Sequence, residues 1–70
     1  MMVLAQARVD KELIIRAIAG EGDVRVHLES LGFVPGTKVR VVSSMGDNLI
    51  VVVRGSKIAL DGRLASCIIV

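Results

Sequence analysis

Apolar positions follow two rhythms along this chain. Val24, Leu28 and Leu31 recur at the three-and-four spacing of one helix face. Lys38 to Val42 alternates charged and apolar residues, which is the period of a strand. Leu13–Ile18, Leu49–Arg54, Lys57–Leu60 and Cys67–Val70 are short, apolar and rich in β-branched residues, so each predicts a further strand. The expected order is one strand, one helix and then a run of strands. About five short strands result, mostly antiparallel, with the helix inserted after the first. A sheet of this length avoids exposed edges by curling, so the pattern predicts a mainly β fold: a small barrel.

The junctions carry the most specific local signals. Asp23 stands where a side chain caps a helix from its N-terminal side, and its charge suits that end of the dipole. Arg25 and Glu29 lie four residues apart and are expected to pair on the solvent side. Gly32 stands where the helix must stop, in the left-handed conformation that glycine adopts at little cost. With Leu31 as the last half-helical residue, Phe33 falls where a side chain packs back onto Leu28 in a Schellman ending. Pro35 and Gly36 match the central positions of a type II turn, because proline presets the first φ and glycine accepts a positive second φ. Gly46-Asp47-Asn48 predicts the turn of a hairpin. Gly55-Ser56 predicts a second, two-residue turn of type II′. Asp61 is expected to cap one short helical turn through Ala65.

Composition narrows the chemistry. The 70 residues predict one domain, residues 1–70, of a size that buries only about 60% of its unfolded surface. A single cysteine, Cys67, excludes an internal disulfide and cannot build a zinc site alone; it reads as a small buried hydrophobe near the last strand. The lack of disulfides fits a cytoplasmic location. The net charge of +2 comes from nine Lys and Arg that form no run, and Phe33 is the one aromatic residue. Nucleic-acid binders concentrate basic residues and add stacking aromatics, so no nucleic-acid partner is expected. No signal peptide is evident. The longest apolar run, Leu49 to Val53, is far short of the ~20 residues that span a bilayer, so direct membrane insertion is not expected.

No catalytic constellation emerges. The seven carboxylates are spread thinly, mostly at turns and caps. His27 lies off the Val24–Leu28–Leu31 stripe and reads as a surface histidine rather than a metal ligand, since a transition-metal site needs more nitrogen or sulfur donors. The chain has no Walker loop. These residues predict a protein that is not an enzyme and has no cofactor, no catalytic residue and no metal ligand set.

One positive feature remains. Alternation puts Val39 and Val41 on one face of their strand, opposite Lys38, Arg40 and Val42, while Ile50 and Val52 share the face of Arg54. If the charged positions mark the outside, Val42, Ile50 and Val52 point outward together. A chain that is 53% hydrophobic has apolar side chains to spare for such a patch. Either the curl of the barrel covers these three residues, or they form a partner-binding surface or homodimer seam.

Three motifs resemble the FeoA family. Leu28-Glu-Ser-Leu-Gly-Phe-Val-Pro-Gly-Thr37 with Val39 is similar to the family's LxxLGhxPGxxV element. Met45-Gly-Asp-Asn-Leu-Ile50 continues the likeness, and Arg54-Gly-Ser-Lys-Ile-Ala-Leu60 is similar to its V(R/K)GxxIAL element. Asp61 to Val70 resembles its closing segment. Leu28, Leu31, Gly32, Pro35, Gly36 and Gly55 are the motif residues, each with a structural role. The resemblance covers about Glu12 to Val70 and implies an SH3-like barrel. It further implies a cytoplasmic accessory protein of ferrous iron uptake, partnered with a FeoB-type membrane GTPase transporter and peripheral to the membrane through it. A GTPase-activating role would call for an inserted arginine, for which Arg16, Arg40 and Arg54 are the candidates. Related barrels in metal-dependent transcriptional repressors supply an alternative, a regulatory domain. The chain departs from the family near its start, where Val9-Asp10-Lys11 replaces a common Pro-Gly pair.

Overall fold

The computed structural model describes all residues from 1 to 70. A 3-10 turn at Leu4–Gln6 leads into β1 (Glu12–Ile14) and β2 (Ala17–Ile18), followed by α1 (Asp23–Ser30). Then come β3 (Lys38–Met45), β4 (Asn48–Val53), β5 (Ser56–Leu60), the short α2 (Gly62–Ala65) and β6 (Ile68–Ile69). β1, β3, β4 and β5 form an antiparallel sheet in that order, and β2 pairs with β6 in a second, two-stranded sheet. The fold is mainly β, as the patterning predicts, and SH3-like, as the resemblance implies.

The expected first strand, Leu13–Ile18, is two strands. Ile14 is the last residue paired to β3, while the Arg16 N–H already donates to the Ile69 carbonyl at 2.7 Å. The chain therefore changes sheets at Ile15-Arg16, and this bend wraps the two sheets around a common core. Between β5 and β6 the wall is not a strand pair. α2 packs on β4 and β5, and the N-terminal 3-10 turn packs on α2 and β6, while no strand pairs with the outer edge of β5.

The core is purely apolar. Phe33, Leu4, Ile15, Leu28 and Ile68 meet the inward side chains of β3, β4 and β5, and no buried side-chain nitrogen or oxygen lacks a partner. The helix ending forms both bonds of the Schellman pattern: the Phe33 N–H donates to Leu28 at 3.0 Å and the Gly32 N–H to Glu29 at 3.0 Å. Gly32 has φ +106°, and Phe33 and Leu28 are both fully buried. The type II turn follows, with Gly36 at φ +91° and the Thr37 N–H donating to Val34 at 3.1 Å. Asp61 caps α2 by accepting from the Leu64 N–H at 2.9 Å. Arg25 and Glu29 approach to 3.7 Å on an exposed flank, a geometry worth a few tenths of a kcal/mol.

Four expectations are corrected. Gly22, not Asp23, is the N-cap of α1; its φ of +58° suits glycine, and Asp23 becomes the first helical residue with its charge still in the first turn. Val24 is exposed, so the buried stripe of α1 shrinks to Leu28 with Leu31 half-buried. The second hairpin turn is Arg54-Gly55, closed by the pair Val53–Ser56. Both central residues have positive φ, +51° and +78°, which makes it type I′ rather than II′. Cys67 is half-buried against the core, with its S–H donating to the Arg63 carbonyl at 3.4 Å.

Candidate partner-binding face

β3, β4 and β5 divide their side chains between two faces. Val39, Val41, Leu49, Val51, Val53 and Leu60 turn inward, and none is more than 2% exposed. The outward row is set by register. Arg40 faces Val52, which faces Lys57; Ser43 faces Ile50, which faces Ala59. The register slips by one residue between Val41 and Ser43, leaving Val42 as the extra residue of a β-bulge.

Val42, Ile50 and Val52 are thus neighbours on the outer side of the sheet. Ile50 is 36% exposed, whereas Val42 and Val52 are half-buried. The apolar surface extends away from Val52, toward the β3–β4 turn. There an open groove is lined by Met45, Leu49, Ile50, Ala59 and Leu60, with Ser43, Asn48 and Asp61 at its margins. Met45 is 76% exposed. Alternation on β5 would place Ala59 beside outward-facing Lys57, so its position was open to detection in the sequence. Met45 was not, because simple alternation from Val41 sends it inward and only the bulge turns it out.

The opposite end of the same face is basic. Lys38, Arg40, Arg54 and Lys57 are all exposed there. Glu12 is the carboxylate among them, 3.9 Å from the Lys38 Nζ, with both side chains more than half exposed. The stem of Arg54 lies over the helix ending: a Cβ built on Gly32 would come within 3.3 Å of Arg54 Cδ. The outer face therefore grades from positive charge at the Arg54-Gly55 turn to apolar surface at the Gly46-Asp47 turn.

The motif residues fall in the scaffold behind this face. Leu28 and Gly32 are buried, Leu31 is half-buried, and Pro35, Gly36 and Gly55 stand in exposed turns. His27 is exposed on α1, and no three His, Cys, Asp or Glu side chains gather where they could hold a metal ion. No helix is long and apolar enough to cross a membrane.

The FeoA domain family model matches residues 2–70, all but the first residue. The chain belongs to the FeoA domain family. A crystal structure of an iron uptake regulatory protein, FeoA, is 26% identical and superposes with a TM-score of 0.89, covering 96% of this chain and 91% of that one. The zinc-complexed FeoA of Stenotrophomonas maltophilia, described as a prokaryotic SH3 domain protein, is 24% identical with a TM-score of 0.89, over 99% of this chain and 88% of that one. Iron(II) transport protein A from Clostridium thermocellum is 26% identical with a TM-score of 0.91; it matches 96% of this chain and 43% of its own length. A manganese-dependent transcriptional repressor shares the fold at 16% identity, with a TM-score of 0.87 over 96% of this chain and 39% of the repressor. No curated protein sequence matches the chain. Val9 and Asp10 occupy a turn closed by the Lys11 N–H donating to Arg8 at 3.4 Å, and Asp10 has φ +66°. Val9 and Asp10 thus adopt a turn geometry that a Pro-Gly pair would also favour.

Proposed function

We propose that this FeoA-family chain is a non-enzymatic, cytoplasmic accessory protein of ferrous iron uptake. It docks on the GTP-binding region of a FeoB-type membrane transporter and is peripheral to the membrane through that contact. The observation that carries the reading is the family match over residues 2–70. The outer face supports it, because Ile50, Val42 and Val52 beside a basic margin form a contact surface. The proposed partner-binding residues are these three, extended by Met45 and Ala59 along the groove.

The test is calorimetry of the purified chain against the purified GTP-binding domain of a FeoB-type transporter. Binding is expected for the unaltered chain. Val52→Lys and Ile50→Lys are expected to weaken it by about tenfold or more, the equivalent of ~1.4 kcal/mol, without lowering the melting temperature. Absence of binding by the unaltered chain overturns the reading. Loss of fold in Val52→Lys would instead make Val52 part of the core.

The second reading, a regulatory domain that senses a metal ion, comes from the resemblance to metal-dependent repressors, and the repressor structure at 16% identity adds the shared fold alone. Anaerobic titration with Fe²⁺ and Mn²⁺ separates the two. The accessory-protein reading expects no stoichiometric binding at micromolar or tighter affinity, and the regulatory reading requires it.

A further inference from the structure

The outer edge of β5 is an open half of a hydrogen-bond ladder. A two-residue turn makes Val53–Ser56 the hydrogen-bonded pair that closes the hairpin, and hydrogen-bonded pairs then alternate along the strands. Ser56, Ile58 and Leu60 therefore face β4. Lys57 and Ala59 turn their N–H and C=O groups away from it. Neither residue takes part in any of the backbone hydrogen bonds made outside the ladders, and both are exposed. No strand lies beyond β5. Unpaired edges of this kind recruit extended segments of other chains.

The side chains along the edge specify what such a segment would carry. Lys57 projects from the outer face in the same row as Val52 and Arg40, so a residue paired with Lys57 meets positive charge. Ala59, two residues on, is too small to fill its position beside Ile50. A large apolar side chain paired with Ala59 would lean across it onto Ile50 and into the groove. The same features disfavour a second copy of this chain as occupant. A charged lysine on an edge strand discourages edge-to-edge self-pairing, and here two such lysines would be brought close together.

We propose that β5 accepts an extended segment of a partner protein as an added strand, with an acidic residue opposite Lys57 and a large apolar residue two positions away opposite Ala59. The proposal rests on the reading of the outer face as a partner surface and names the chemistry of what binds there. Main-chain pairing supplies the affinity, and the alternate side chains supply the selectivity.

An array of immobilised decapeptides tests this with the full chain. Peptides with Glu and Leu two residues apart are expected to bind at least tenfold better than peptides with the same two residues adjacent, because adjacent residues face opposite sides of a strand. Lys in place of Glu should lower binding by a similar factor, and K57E should reverse that preference. A59P removes an N–H that faces outward on an edge strand, a setting in which proline is tolerated. It should leave the melting transition in place and abolish peptide binding. With the Glu–Leu peptide bound to the unaltered chain, the amides of Lys57 and Ala59 should exchange with deuterium at least tenfold more slowly. The proposal is overturned by equal binding of the two spacings, by unchanged exchange at Lys57 and Ala59, or by full binding to a folded A59P chain. A transporter domain that loses affinity for I50K and keeps it for A59P would leave the partner surface standing and remove strand addition alone. Full affinity for both variants would remove the surface as well.

Discussion

The two faces of the β3–β5 sheet are built from the same kind of residue and have opposite fates. Val39, Val41, Val51 and Val53 are at most 1% exposed, while Ile50, one position from Val51, is at 36% and Val52 and Val42 are half-buried. Composition and β-propensity do not distinguish them. What separates them is parity, reset once by the bulge at Val42. β-Branched residues on a strand report a pleated backbone, and burial is decided by what the other strands and helices place over each side. Inside, Phe33 and the residues of α1, α2 and the N-terminal turn close the core. Outside, no element of the chain covers Ile50.

Substitutions can break this contrast or sharpen it. The largest effect is expected from charge on the inner face. Val51→Lys places an unpaired ammonium where no polar partner exists, and a domain this small should lose its cooperative thermal transition altogether. Val51→Ala keeps the polarity and removes only packing; chemical denaturation should show a loss of about 2–3 kcal/mol. Gly32→Ala attacks the link between the faces. The new Cβ would be held at φ +106° and pressed toward the Arg54 stem, so a loss of about 1–2 kcal/mol is expected. Arg54→Asn works in the opposite direction. Asn-Gly suits the positive φ of both type I′ positions, and a gain of about 0.5–1 kcal/mol should appear as a higher denaturation midpoint. Ile50→Lys is the smallest, within about 0.5 kcal/mol of the unaltered chain. A loss at Ile50 approaching that at Val51 would dissolve the contrast between the faces.

What could be read in the sequence was governed by local chemistry. The Leu31–Phe33 helix ending, the Pro35-Gly36 turn and the Asp61 cap each depend on a few adjacent residues, and each forms as its residues dictate. The Arg54-Gly55 turn was misplaced by one residue because arginine is an unusual choice for a positive φ and does not announce it. The division of Leu13–Ile18 between two sheets was hidden for a different reason. Alternation shows that a segment is extended and says nothing about its partner, and here the partner changes from Lys38 to Ile69 within two residues of Ile14. The same limit applied to the candidate site. Parity located Val42, Ile50 and Val52 on one side, but the groove from Met45 to Ala59 exists only through the pairing of three strands.

Val42 gives that pairing a discrete character. It acts on β3 as a one-residue frameshift acts on a reading frame: positions before it and after it are read in opposite phase against β4. Deleting Val42 would remove the slip and leave Ser43, Ser44 and Met45 on the sides they now take, because Ser43 would follow Val41 directly and still face Ile50. Pairing Val42 regularly, by adding one residue to β4 between Ile50 and Val51, would instead turn Met45 inward and withdraw it from the groove. The outer surface of this FeoA domain thus depends on the relative lengths of β3 and β4 as well as on their residues, and substitutions that keep the lengths cannot sample the difference.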